Sequence, residues 1–177
     1  DAERLAAVAE RVGRTHGVHA EVLQADLTDR AALARVEERL RSDARIALLV
    51  NNAGMSVTGT LAEADIDAVE RMIQLNVTAP TRLAAAAAQA FAARKAGTII
   101  NVASVLALAP ELFSGSYSGT KAYVLNLSHS LAREMQPHGV RVQAVLPGAT
   151  RTEIWERSGA SADGLPPEMG MDVDPMV

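Results

Sequence analysis

The sequence predicts an α/β fold built on a parallel sheet, for three reasons. Segments with strand patterning alternate with segments of helical patterning along the chain. The run 46–50 is short and wholly apolar, as a strand buried on both faces would be. Polar or small residues close the strands: Asp26, Asn51-Asn52-Ala53-Gly54, Ser104 and Pro147-Gly148. In a parallel sheet such ends share one edge, and the ligand crevice lies beyond it.

The elements follow in order. Leu5, Ala6, Val8, Ala9 and Val12 recur at helical spacing, and Gly13 or Gly17 can end that helix. Residues 18–26 alternate and read as a strand. Thr28 or Asp29 caps a helix through about 41, with Leu33, Val36 and Leu40 on one face. After the strand at 46–50, helices are expected at 65–75 and 77–95, a strand at 97–103, a long helix at 117–136 and a strand at 140–146. The alanine-rich run 84–88 suits a tightly packed helix or, because small side chains permit close approach, a subunit contact. From 157 onward Gly, Pro, Ser and Met crowd together, which reads as a loop or lid; Trp155 and the Met residues there would line an apolar pocket or simply pack.

Composition narrows the function classes. The chain has 177 residues, 49% hydrophobic and 21% charged, which suits one globular domain or most of one. It has no Cys, which excludes disulfides and thiolate metal sites. His16, His19, His129 and His138 show no metal-ligand spacing, so no metal is expected. A net charge of −4 argues against nucleic acid as a partner. No apolar run reaches the roughly 18 residues of a membrane span, and the first residues are charged and helical rather than a signal peptide. A cytoplasmic protein without membrane contact is expected.

Several residues carry chemistry. Tyr117 and Lys121 stand four apart at the start of a helix and so point to one side. A free Tyr, with a pKa of about 10, moves protons poorly at neutral pH; a nearby ammonium favours the phenolate. Such a pair can do general acid–base work. Ser104, at a strand end, can hydrogen-bond a substrate carbonyl or merely turn the chain; no Gly-x-Ser-x-Gly elbow marks it as a nucleophile. The small residues of 51–54 let a backbone approach a ligand, or make an ordinary turn. Asn76 is a poor choice inside a helix, and faces solvent or holds a kink and a water. Asp26 bonds a ligand N–H or caps the next helix.

Taken in order, Asn51-Asn52-Ala53-Gly54, Asn76, Ser104, Tyr117-Ser-Gly-Thr-Lys121 and Pro147-Gly148 resemble the classical short-chain dehydrogenase/reductase family over about 1–156. The stretch is similar to broadly annotated bacterial members of uncertain substrate. The resemblance implies a Rossmann-type doubly wound parallel sheet in a domain covering 1–156, with 157–177 beginning a substrate lid. It implies NAD or NADP as cofactor and a small-molecule carbonyl or alcohol as substrate, in a homodimer or homotetramer. Carried over, Tyr117 is the general acid or base and Ser104 orients the substrate. Lys121 bonds the nicotinamide ribose and lowers the Tyr117 pKa, and Asn76 holds a water linking Lys121 to solvent. Asp26 contacts the adenine; Asn51, Ala53 and Gly54 line the cofactor path; Pro147, Gly148 and Thr152 touch the nicotinamide end.

The chain departs from the family at its start. The Thr-Gly-x-x-x-Gly-x-Gly turn, whose backbone N–H groups would cradle a pyrophosphate, has no counterpart. The expectation is a piece lacking the first two strands and the last, inactive by itself. In the family's strand order 3-2-1-4-5-6-7, residues 18–26 then either lie across a gap from 46–50 or slide in to pair with it. The alternatives are a non-catalytic binding protein on the same scaffold, which would not require Asn76, Ser104, Tyr117 and Lys121 together, and an extended relative acting on nucleotide sugars.

Overall fold

Three strands form the central sheet of the computed structural model, which describes residues 1–112, 114–150 and 170–171. β1 (Leu48–Asn51), β2 (Gly97–Val102) and β3 (Val140–Val145) lie in that order, all parallel. Asn51 stands opposite Asn101 and Val102 opposite Val145, so the three C-termini share one edge. A short parallel pair joins β4 (Ala149–Thr150) to β5 (Gly170–Met171). Thr152, Trp155 and the rest of the expected lid lie outside the described residues.

The helices begin where side-chain caps place them. Asp1 caps α1 (Ala2–His16), accepting from the Arg4 N–H at 3.1 Å, and Gly17, at φ 66°, ends it. Asp29 caps α2 (Arg30–Ser42), accepting from the Ala32 N–H at 2.7 Å. Asp65 caps α3 (Ile66–Ile73). Pro80 sits in the first turn of α4 (Ala79–Arg94), where its missing N–H costs nothing. α5 (Gly115–Met135) is the longest. The two helices expected at 65–75 and 77–95 are joined by a π-helical turn, Gln74–Thr78.

The strand alternation sorts the sheet into two faces. α4 and α5 cover the face that carries Leu49, Ile99, Val140 and Val142, with Phe91, Ala84, Ala87 and Ala88 of α4 and Leu131 and Met135 of α5 in one cluster. α2 packs Leu33 and Leu40 against Ala79, Leu83 and Ala86 of α4. Phe91 is fully buried because Gly97, at φ 153°, has no side chain: a Cβ there would stand 2.3 Å from the ring. A buried carboxylate also ties α2 to α4. Burial pushes the Glu37 pKa up, but hydrogen bonds from Arg82 (2.5 and 2.9 Å) and Arg41 (3.1 Å) outweigh that and hold it below the usual range.

Two expectations are corrected here. First, β1 is not buried on both faces: Leu48 and Val50, on the side away from α2, α4 and α5, are 50% and 49% exposed. Second, residues 18–26 form no strand. They run between α1 and α2, with Leu23 and Ala25 facing Leu49 and Val50 across a cleft of 290 Å³. No strand lies on the outer edge of β1 among the described residues. The gap is the outcome, because alternation without a hydrogen-bonding neighbour does not make a strand. The run 84–88 follows its tightly packed reading at four of its five positions, and Ala85 is exposed. Ala84, Ala86, Ala87 and Ala88 are buried within this chain, where small side chains let α4 approach both the sheet and α2.

Candidate active site

Four of the expected residues converge at the C-terminal edge of the sheet. Ser104 follows β2, and its hydroxyl accepts from the Leu106 N–H at 3.2 Å. The same hydroxyl lies near enough to the Tyr117 phenol to favour its deprotonated form. Lys121 lies one helical turn beyond Tyr117, on the face of α5 that packs on the sheet. Its ammonium is buried, donates to the Val102 carbonyl at 3.0 Å, and stands 5.8 Å from the centre of the Tyr117 ring.

Asn76 is fully engaged. Its side-chain oxygen accepts from the Met55 N–H at 2.9 Å, and its amide donates to the Met55 carbonyl at 2.8 Å and to the Thr120 hydroxyl at 3.1 Å. The π turn is what directs this side chain inward; π turns inside helices occur frequently at functional sites. Asn76 thereby holds the 51–54 turn against α5. A Cβ on Gly54 would come within 3.3 Å of the Asn76 oxygen and 3.6 Å of the Lys121 nitrogen, so this backbone passes beside the ammonium. Thr120, which sequence reading passed over, completes the clamp by donating to the Tyr117 carbonyl at 2.7 Å.

The electrostatics differ from expectation. Burial pushes Lys121 down to about 8. Burial pushes Tyr117 up from its ordinary value, and the Ser104 hydrogen bond offsets part of that. Desolvation of the phenolate dominates at Tyr117, and the Lys121 ammonium stands 5.8 Å from the centre of its ring.

Other expected residues sit elsewhere or serve the fold. The Asn51 amide donates to the Asn101 side chain at 2.8 Å and to the Pro80 carbonyl at 3.3 Å. Asn101 donates to Ser128 at 2.9 Å, and Ser128 to the Val124 carbonyl at 2.7 Å. This buried chain links β1, β2, α4 and α5, and Asn51 also lines the 290 Å³ cleft. Asn101 was visible as a polar residue within an apolar strand, and Ser128 as a small one on the packing face of α5. Asp26 is exposed and accepts from the Thr28 N–H (2.9 Å) and hydroxyl (2.8 Å), which hold its carboxyl below the usual range. These bonds make a local turn before α2. Ala53 lines the 290 Å³ cleft. The Pro147 carbonyl accepts from the Val105 N–H at 3.1 Å, which keeps Pro147-Gly148 beside the Ser104 segment.

The profile of the short chain dehydrogenase family matches residues 1–163, and the chain belongs to that family. A short-chain dehydrogenase of Pyricularia oryzae is 34% identical over 145 residues, 80% of this chain and 51% of its own length. The structure of a short-chain dehydrogenase from Sphingobium yanoikuyae in complex with NADPH is 50% identical, with a TM-score of 0.96 over 99% of this chain and 68% of that one. A bulky-bulky ketone specific alcohol dehydrogenase from Comamonas testosteroni is 45% identical, with a TM-score of 0.87 over 98% of this chain and 65% of that one. The chain spans about half the length of the curated relatives it matches.

Proposed function

We propose that this chain carries the catalytic residues of an NAD- or NADP-dependent oxidoreductase interconverting a carbonyl and its alcohol, in the class EC 1.1.1.-. The observation behind the reading is the Ser104 hydroxyl beside the Tyr117 phenol, with a buried ammonium one turn away. An ammonium has three donors. One goes to Val102, and among the described residues the others meet no protein acceptor. Two donors beside a side-chain-free Gly54 fit the hydroxyls of a nicotinamide ribose. The pyrophosphate end has no matching glycine-rich turn in this sequence. The bound nicotinamide would supply or accept the hydride.

The protein's part is proton movement and orientation. Tyr117, with its raised pKa, holds its proton at neutral pH and suits a general acid toward a carbonyl oxygen. Ser104, beside that phenol, directs the same oxygen to Tyr117. Lys121, at about 8, exchanges its proton near neutral pH and neutralises the phenolate that remains. Asn76 and Thr120 position the 51–54 turn and α5. Pro147, Gly148 and Thr152 belong to the nicotinamide end in this reading. A homo-oligomer belongs to it as well, with its contact on the outward side of α4 and α5, where Tyr123 is 41% exposed.

Replacing Tyr117 with Phe in the full-length protein tests the assignment, because Phe keeps the ring and loses the transferable proton. Turnover is expected to fall by at least about 100-fold with far-UV circular dichroism unchanged. Activity within about tenfold of wild type would overturn the role.

A further inference from the structure

The candidate active site is divided between two elements. Ser104 and the Val102 carbonyl belong to the end of β2, and Tyr117 and Lys121 to the first turns of α5. The stretch that joins them carries two single-turn 3-10 helices among the described residues, Val105–Ala107 and Pro110–Leu112. Leu108 and Leu112 along it are exposed. A link with so few buried contacts does not fix one half of the site against the other.

A buried polar chain does. Asn101 precedes Val102 in β2 and is 1% exposed. Its side-chain oxygen accepts from the Asn51 amide at 2.8 Å, and its own amide donates to the Ser128 hydroxyl at 2.9 Å. Ser128, also 1% exposed, passes its proton to the Val124 carbonyl at 2.7 Å. Lys121, Val124 and Ser128 recur at helical spacing and are all buried, so they share the face of α5 turned to the sheet. Ser128 lies two turns, about 10 Å, beyond Lys121. α5 is thus attached to two adjacent residues of β2: Ser128 to Asn101, and Lys121 to Val102 at 3.0 Å.

These attachments differ in kind from the packing around them. Leu131 and Met135 also hold α5 to the sheet, but hydrophobic contact is non-directional and does not choose an axial position. A hydrogen bond does, because it weakens outside a narrow range of distance and angle. Sliding α5 by one residue's rise, about 1.5 Å, would leave the Asn101 amide buried without its partner, at the full cost of its lost water. The same slide would stretch the Lys121–Val102 contact and move Tyr117 away from Ser104.

We propose that Asn101 and Ser128 are positioning residues of the candidate active site: their hydrogen bond sets where α5 stands along β2, and so sets Lys121 and Tyr117 against Val102 and Ser104. The kinetic consequence rests on the oxidoreductase reading above; the placement of Lys121 does not.

The test follows Lys121 directly, by NMR of the full-length protein labelled at the lysine ε-carbons. Loss of a signal in Lys121→Met identifies it. The groups around this ammonium are the Tyr117 ring on its own helix, Gly54 and the Asn76 side-chain oxygen on one side, and the Val102 carbonyl on the other. Burial is what lowers its proton affinity, so loosening α5 should raise it. Ser128→Ala is expected to raise the Lys121 midpoint by about 0.4 unit or more. It should also lower kcat by about 10- to 100-fold, measured on whichever simple ketone the wild type reduces with NADH or NADPH. Leu131→Ala, which removes packing from the same helix, should lower the melting temperature at least as far and leave the Lys121 midpoint in place. A smaller shift in Ser128→Ala, an equal shift in Leu131→Ala, or a smaller fall in kcat would each overturn the proposal. Should Ser128→Ala not fold, Ser128→Cys, whose thiol bonds only weakly, is read by the same criteria. Absence of turnover by the wild type with any ketone would instead overturn the oxidoreductase reading, and the NMR arm would still decide whether Ser128 places Lys121.

Discussion

The two faces of the sheet are made of similar residues and have different fates. The covered face carries Leu49, Ile99, Val140 and Val142, and three helices close over it to bury Phe91 and Ile99 almost completely. The other face carries Leu48, Val50 and Val145, exposed at 50%, 49% and 36%. The N-terminal region follows the open face. α1 is amphipathic and capped at both ends, yet none of its residues is buried. These exposures are those of a chain that spans about half the length of the curated relatives it matches. Every catalytic candidate stands with the covered face, where packing holds side chains in one geometry.

The contrast can be broken by mutation. Phe91→Ala, on the covered face, should cost about 3–5 kcal/mol in chemical denaturation. A cost below about 1 kcal/mol would mean the core is loosely packed.

The pH dependence of stability sharpens the same contrast, because Lys121 is a charge held within the covered half. Its folded pKa of about 8 lies below the ordinary 10.5. Below pH 8 both states carry the proton, and the full penalty of burying the charge applies. Between 8 and 10.5 the unfolded chain binds more protons, so stability rises with pH. Tyr117, raised above its ordinary 10.0, acts in the opposite sense only above that value. Between about pH 8 and 10, stability should therefore rise by roughly 2–3 kcal/mol, and Lys121→Met should flatten the rise. An unchanged slope in the variant would remove Lys121 as its cause.

Smaller effects follow. Asn101→Ala should cost about 1–3 kcal/mol, because it strips partners from the buried Asn51 and Ser128. On the open side, Leu5→Ala and Val50→Thr should each change stability by no more than about 0.5 kcal/mol. A loss above about 1 kcal/mol for Val50→Thr would show that this face is covered in solution.

Much was legible in the order of residues. Caps at Asp29 and the ending of α1 at Gly17 follow from local hydrogen bonding and backbone freedom, which need no distant partner. The Tyr117–Lys121 pair followed from helical spacing, and the placing of Ser104 and Gly54 at one sheet edge from the alternation of strand and helix. These are short-range properties, set within a few residues of each signal.

What the tertiary structure decided depends on groups far apart in the chain. Residues 18–26 alternate like a strand, but pairing needs a neighbour, and the outer edge of β1 faces a cleft instead. The run 46–50 is apolar throughout, yet helices cover one of its faces. The run 84–88 reads as either a tightly packed helix or a contact between subunits, and at Ala84, Ala86, Ala87 and Ala88 the fold makes it the core that brings α4 onto the sheet and α2. Asn76 looked out of place in a helix; a π turn makes it the clamp between Met55 and Thr120. The balance at Tyr117 was decided in the same way. Spacing places an ammonium nearby, but burial sets the proton's affinity, and burial is a sum over side chains contributed by the whole fold.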